Sequence, residues 1–427
     1  MTYPDALEVV PSGPVRATLA APASKSVTNR LLVVAALAAG ESTLHGPLVS
    51  DDSAAMWRVV TGLGARVNGD GLSWRVTGTG GSLAAPRHAL DAGLSGTTLR
   101  FGTALAALAP GPVTLTGGPP LLRRPLGPLA AALGELGAGG ITVDCDGVRV
   151  AGGGLRGGRG AVDVTGSSQF ASAVLLVAPY ADADVTVVAE GGTAHDYLDL
   201  TVATMADWGA QITAEAPATW RVRAGVRYAA REAAVAYDAS AAAHLHALAA
   251  ATGGMVTVTN AAQGSRQPDA DLPAVLARMG ATVERHGDAV TVTGPAGLAP
   301  LDVDLRRTPD QVTTVAALAA LAPGTSRLRG VAVARSHETD RLAALRSELG
   351  RLRVAVEEHP DGLTIHGGTA RGPARLATHD DHRLAMAFAA VAAAVPGVVI
   401  AEPGCVAKTY PGFWADLATQ GVTWRAA

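Results

Sequence analysis

The sequence predicts an α/β protein built from six copies of one small subdomain, and three recurring features predict it. An alanine-rich apolar segment appears six times, each opened by small polar or charged residues. The openings are Ser24-Lys25-Ser26, Ser95-Gly96-Thr97, Ser167-Ser168-Gln169, Asp238-Ala239-Ser240, Thr308-Pro309-Asp310 and Asp380-Asp381-His382, and their first residues lie 71, 72, 71, 70 and 72 apart. In step with them, an amphipathic segment ends at Gly64, Gly137, Gly209, Gly280, Gly350 and Gly421. In most copies a short apolar/polar alternation follows, as at Leu72 to Thr77, Ala289 to Thr293 and Leu363 to His366.

Each feature translates into an element. Small polar residues before an apolar run mark a helix N-terminus. The helix that follows is apolar almost all round, as from Leu31 to Ala39, and so belongs in the interior. The recurring glycine suits the left-handed residue that ends a second helix. Alternation marks strands, and Val15 to Leu19 and Ser42 to His45 bracket the first buried helix as two more. Each unit reads strand, helix, strand, helix, strand, strand. A period near 71 is too long for a solenoid, so these are subdomains. With 427 residues, 48% of them hydrophobic, the chain calls for two or more domains. If the buried helices run parallel within each domain, their N-termini share one face and offer unpaired N–H groups to anions. Two such domains facing each other would direct up to six helix ends into one cleft.

Composition excludes several classes. A net charge of −3 gives no global field for nucleic acid or an anionic membrane. Cys145 and Cys405 are the only cysteines, and no metal-ligand spacing occurs. Met1 to Val10 lacks the regions of a signal peptide. The most apolar stretch, Leu384 to Ala401, is broken by Pro396-Gly397 and reads as a buried helix followed by a strand. Gly152-Gly153-Gly154 and Gly157-Gly158 fit a turn, not a nucleotide loop. A cytoplasmic globular protein is expected, acting as a monomer on small molecules, with no nucleic acid or membrane partner.

The cations are placed against local stability. Lys25 and Arg30 stand at the first buried helix, Arg100 one turn after Gly96-Thr97, and Arg383 after His382. Arg123-Arg124-Pro125, His337-Glu338-Thr339-Asp340-Arg341 and Lys408-Thr409-Tyr410-Pro411 fall at the expected starts of second helices. Cations there oppose the helix dipole, and a bound phosphate or carboxylate would remove the conflict. Of 34 lysines and arginines only Lys25 and Lys408 are lysine, and both lie among these candidates. Lysine is a compact point charge and arginine a rigid fork, so both lysines are assigned to the site. Asp310 and Glu338, beside these cations, could form an acid–base pair near solvent. His195, His244 and His246 have no such company and are read as structural or surface residues.

Together these residues resemble a known family. Ala23-Ser24-Lys25-Ser26 with Asn29-Arg30, Gly96-Thr97 with Arg100, Arg124-Pro125, Ser167-Ser168-Gln169-Phe170, Pro309-Asp310, Glu338-Thr339-Asp340-Arg341, Asp381-His382-Arg383 and Lys408-Thr409 resemble 5-enolpyruvylshikimate-3-phosphate synthases, in order along the whole chain. The resemblance implies a two-lobed enolpyruvyl transferase fold, with three βαβαββ units per lobe. One lobe would span residues 20–236 and the other 1–19 with 237–427. It implies transfer of the enolpyruvyl group of phosphoenolpyruvate to the 5-hydroxyl of shikimate 3-phosphate, with no metal or organic cofactor. Lys25, Ser26, Arg30, Ser167, Ser168, Gln169, Tyr197, Asp310 and His337 would hold shikimate 3-phosphate. Lys25, Gly96, Arg124, Gln169, Arg341, Arg383 and Lys408 would contact phosphoenolpyruvate. Asp310 would accept the hydroxyl proton, Glu338 would protonate the methylene carbon, and Lys25 would stabilise the tetrahedral intermediate.

Some positions depart from the family pattern. Leu94 and Val333 stand where many members carry asparagine, Phe101 where proline is frequent, and His337 where lysine is common. Ala194 lacks the usual hydroxyl near Tyr197. Two alternatives remain: a UDP-N-acetylglucosamine enolpyruvyl transferase, and a non-catalytic protein binding phosphorylated ligands. The first typically has a cysteine in the loop matching Gly117 to Leu122, which has none here. Retention of Lys25, Asp310 and Glu338 argues against the second.

Overall fold

The computed structural model describes residues 3–11, 13–192, 196–261 and 265–427. Ala194 and His195 lie outside them. The described chain divides into two compact units, one of residues 23–236 and one of residues 1–22 with 237–427.

Among the described residues there are six four-stranded sheets. All share one pattern, a parallel pair followed by two antiparallel strands. Gly158–Asp163 runs parallel to Val185–Glu190, which pairs antiparallel with Thr219–Val222, itself antiparallel to Ile212–Ala216. Parallel neighbours need a crossover, and in four of the six sheets the alanine-rich helix supplies it directly. These helices are Lys25–Leu37, Gly96–Ala107, Gln169–Val177, Ala239–Thr252, Val312–Leu321 and His382–Ala394. Each is buried along nearly its whole length, as continuous apolar sequence requires. Their small side chains let them pack against one another at the centre of each unit, where two separate apolar cores form.

The repeats exchange strands in two places. Arg16–Leu19 precedes the first buried helix, yet it pairs with Met255–Val258 in the fourth repeat's sheet. Glu232–Ala234 precedes the fourth buried helix but pairs with Ala39–His45 of the first. Residues 16–19 thus precede the first buried helix in sequence but lie in the other unit. Unit-to-unit crossings separate each strand from its helix. In the sixth sheet the strand between Val398–Ala401 and Trp424–Ala426 is Ala6–Val9, with Leu7 opposite Ile400.

The recurring glycines follow their helices by two residues, as Gly64 follows Asp51–Gly62, and five of the six have positive φ. Gly350 is the exception. The helix Arg341–Arg351 runs through it, and the left-handed residue two beyond its end is Arg353, with φ of 66°. Arg353→Gly is therefore expected to raise stability by about 1 kcal/mol, and Gly421→Ala, in open space at φ of 84°, to lower it similarly. Opposite shifts of the urea unfolding midpoint are the check.

Candidate active site

In the unit 23–236, Ser24 caps the first buried helix, its hydroxyl accepting from the Val27 N–H, and so places Lys25 at the exposed N-terminus. Lys25 Nζ lies 3.3 Å from the Asp52 carboxylate, and both side chains are largely buried. Asp52 stands in the first turn of Asp51–Gly62, where the helix dipole favours a carboxylate. Nothing in the sequence pattern distinguishes it from an ordinary first-turn acid, so its partnership with Lys25 was not legible.

Arg30, one turn further on, is only 2% exposed. Its Nε donates to Thr201 Oγ1 (2.8 Å), Nη1 to the Ser26 carbonyl (3.1 Å), and Nη2 to Ser172 Oγ and the Tyr197 carbonyl (both 3.3 Å). The rings of Phe101 and Tyr197 lie 5.5 and 5.9 Å from its guanidinium carbon. Burial lowers its pKa to about 10, with Tyr197 opposing the shift. Every oxygen it touches is uncharged. A cation held out of water without a counter-charge costs several kcal/mol, so this position favours an incoming anion.

Arg100 Nη1 donates to Gln169 Oε1 at 2.7 Å. Because guanidinium can only donate, this contact turns the Gln169 amide so that its NH₂ end is the one left to face a ligand. The Ser167 hydroxyl accepts from the Gln169 N–H at 3.2 Å, while Ser168 precedes the helix without a side-chain cap. Gly96 opens its helix after the Ser95 cap. A Cβ there would come within 3.0 Å of Arg124 Nη1 and 3.4 Å of Arg100 Nη1, so the glycine makes room for two guanidinium groups. Arg124 itself lies between the helices Pro119–Leu122 and Gly127–Glu135, not at the start of one as expected.

In the other unit, Arg341 opens the helix Arg341–Arg351 behind the Asp340 cap and is 1% exposed. Three carboxylates surround it. Asp381 accepts from Nε (2.7 Å) and Nη2 (3.2 Å), Asp310 from Nη1 (2.6 Å), and Glu338 from Nη2 (2.9 Å). The same Asp381 caps the sixth buried helix by accepting from the Arg383 N–H. Arg383 Nη2 lies 3.0 Å from Asp310 Oδ2, and Lys408 Nζ lies 3.0 Å from Glu338 Oε1. Both acids are thus shared between two cations.

The local electrostatics follow. Burial pushes the Asp310 carboxyl upward, but Arg383, His337 and Arg341 outweigh it and hold it well below the ordinary carboxylate range. Burial depresses His337 to about 4, so its ring is neutral near pH 7. Arg341 Nη1 donates to His337 Nδ1 at 2.9 Å, which leaves Nε2 as the protonated nitrogen and a donor.

Several expectations need correction. Lys408 does not begin a helix. It closes the 3₁₀ turn Pro403–Lys408, and the following helix is Phe413–Thr419, because Pro411 delays the helical start. Asp310 and Glu338 are part-buried, with 21% and 13% side-chain exposure. His244 is not remote: it is buried, its Nδ1 is 3.1 Å from Thr314 Oγ1, and it feels Arg383, Arg341 and Asp310. His246 is structural, bonded to the Val290 carbonyl. The dipole conflict inferred for the cations is met here largely by the protein's own carboxylates.

A fold of six such sheets with this set of basic and acidic residues defines an enolpyruvyl transferase. The architecture matches solved structures of EPSP synthase from Acinetobacter baumannii (TM-score 0.82, 24% identity, 98% of this chain and 99% of that one). It also matches the enolpyruvyl transferase NikO from Streptomyces tendae (TM-score 0.79, 18% identity, 99% of each chain). The family model for EPSP synthase (3-phosphoshikimate 1-carboxyvinyltransferase) matches residues 9–417, and the chain belongs to that family. It is similar to the 3-phosphoshikimate 1-carboxyvinyltransferases of Syntrophobacter fumaroxidans (41% identical, 95% of this chain and 97% of the relative) and Nostoc punctiforme (40%, 94% and 95%). That of Methanoculleus marisnigri is 39% identical over 97% of this chain and 99% of the relative. No helix among the described residues is long and apolar enough to cross a membrane.

The buried histidines give the stability a pH dependence. Burial holds His244 well below its ordinary value and lowers His246 to about 4. Their folded pKa values are depressed, so the unfolded chain binds protons first as pH falls. Stability is therefore full above about pH 6.5 and declines toward pH 4. Urea midpoints should drop between pH 7 and 5, and His246→Gln should flatten that slope. An unchanged slope in the variant would show that His246 does not set it.

Proposed function

We propose that this chain transfers the enolpyruvyl group of phosphoenolpyruvate to the 5-hydroxyl of shikimate 3-phosphate, giving 5-enolpyruvylshikimate 3-phosphate and phosphate. The observation that carries the chemistry is the pair Asp310 and Glu338, bound to one guanidinium at 2.6 and 2.9 Å and each sharing a second cation. Two carboxyls held close together in different charge environments can serve as the acid and the base for proton transfer at two neighbouring atoms. Family membership and the relatives' common name support this reading.

In this account Arg30, whose buried charge lacks a counter-ion, binds shikimate 3-phosphate together with Ser26, Ser167, Ser168, the Gln169 amide, Tyr197 and the His337 Nε2–H. Arg124, Arg341, Arg383 and Lys408 take the phosphate and carboxylate of phosphoenolpyruvate, with Lys25, Gly96 and Gln169 beside it. The 5-hydroxyl oxygen bonds to C2 of phosphoenolpyruvate while its proton passes to Asp310. C3 takes a proton from Glu338, and Lys25 stabilises the tetrahedral adduct. Loss of phosphate, with return of a methyl proton, restores the double bond in the product.

Substrate binding also prepares the two acids. Arg383, His337 and Arg341 hold Asp310 ionised and weakly basic. An anion bound to those cations places negative charge beside both carboxyls and raises their proton affinity. Asp310 then becomes a better base, and Glu338 a group able to carry a proton.

Asp310→Asn and Glu338→Gln are each expected to lower turnover by ~10²–10⁴-fold in a phosphate-release assay with phosphoenolpyruvate and shikimate 3-phosphate. Wild-type turnover in either variant removes that carboxyl from the mechanism. Phosphate release with UDP-N-acetylglucosamine instead of shikimate 3-phosphate would replace the proposed acceptor.

A further inference from the structure

Behind Arg383 stands a buried acid with no part in the chemistry above. Asp269 lies on the 3₁₀ turn Pro268–Asp271 and is 1% exposed. Its Oδ2 accepts from the Ser240 hydroxyl and lies 3.6 Å from Arg383 Nη1. Ser240 Oγ in turn accepts from Arg383 Nη2 at 3.2 Å, the same nitrogen that faces Asp310 at 3.0 Å. One hydroxyl therefore passes a hydrogen bond from the guanidinium to the carboxylate.

The turn is itself fixed in place. Gln267 Oε1 accepts from the Ala239 N–H at 3.2 Å, and its amide nitrogen donates to the Tyr237 carbonyl. Asp269 is thereby locked to the N-terminus of the helix that carries Ser240. Burial raises the Asp269 carboxyl while Arg383 pulls it back and Asp310 raises it further.

We infer that Ser240 and Asp269 are positioning residues for Arg383, fixing the plane of its guanidinium so that its remaining donors meet the anionic substrate. The inference rests on the assignment of Arg383 to phosphoenolpyruvate. A planar fork must be aimed to bind an oxyanion with two parallel bonds, unlike a point charge. Ser240 Oγ and Asp310 hold Nη2 together, while Asp269 attracts Nη1 from 3.6 Å, so both ends of the fork are set by named groups.

Ser240→Ala and Asp269→Asn should each raise KM for phosphoenolpyruvate on the order of tenfold, the usual loss of a hydrogen bond to a charged group. Changes in kcat should stay within about threefold, with KM for shikimate 3-phosphate unaltered, as expected for a loss of uniform binding. The decisive readout is a double-mutant cycle with Arg383→Lys, in which adding Asp269→Asn should cost almost nothing more. Full additivity overturns the proposal, as does an equal rise in KM for both substrates. If Asp269→Asn fails to fold, Ser240→Ala, which removes one hydroxyl, carries the same cycle. Arg383→Lys alone tests the underlying assignment: an unchanged KM for phosphoenolpyruvate overturns that assignment and the inference with it.

Discussion

The buried guanidinium of Arg341 organises the chemistry of its unit. At 1% exposure it meets the fully buried Asp381 and the part-buried Asp310 and Glu338, and a charge as buried as Arg341 or Asp381 needs its partner. Each partner brings a different piece of chain to the same point. Asp381 comes from the cap of the sixth buried helix, Asp310 from the turn before the fifth, and Glu338 from the approach to Arg341's own helix. Removing one charge would leave the others unbalanced, so the arrangement holds as a group.

That balance explains how Arg341 and Arg383 can sit at helix starts. Three cations, Arg341, Arg383 and Lys408, each face one or more of the carboxyls of Asp310, Glu338, Asp381 and Asp269. An anionic substrate entering such a group must compete with carboxylates for the cations. The simplest relief is for a carboxyl to take up a proton, which is what a general acid needs. The unit 23–236 differs: Lys25 has Asp52, but Arg30 has only neutral oxygens, and an anion there completes an unbalanced charge.

The six-fold repeat was legible because its signals are local. Ser24, Ser95, Asp238 and Asp381 each accept a backbone N–H at their helix start, as their residue types suggest. What stayed hidden depends on distant partners. The local pattern at Arg16–Leu19 marks a strand but not its partner, Met255–Val258, which lies far along the chain. Lys408 was misplaced because a 3₁₀ turn and a helix start share the same small-residue and proline signals. Gly350 matched the period, but the chain uses Arg353 for the left-handed turn. Asp52 and Asp269 are single acids whose sequence neighbours say nothing of Lys25 or Arg383. The resemblance named the cations and the two acids. It did not reveal that these groups already neutralise one another.

The central claim is that anion binding at Arg341 and Lys408 transfers a proton to Glu338. Titration calorimetry of phosphoenolpyruvate binding, repeated in buffers of different ionisation enthalpy, measures that proton directly. The account predicts net proton uptake by the native protein and a smaller uptake, by up to one proton, in Glu338→Gln. Identical buffer dependence in the two proteins would contradict it, because the proton would then belong to the ligand or to another group.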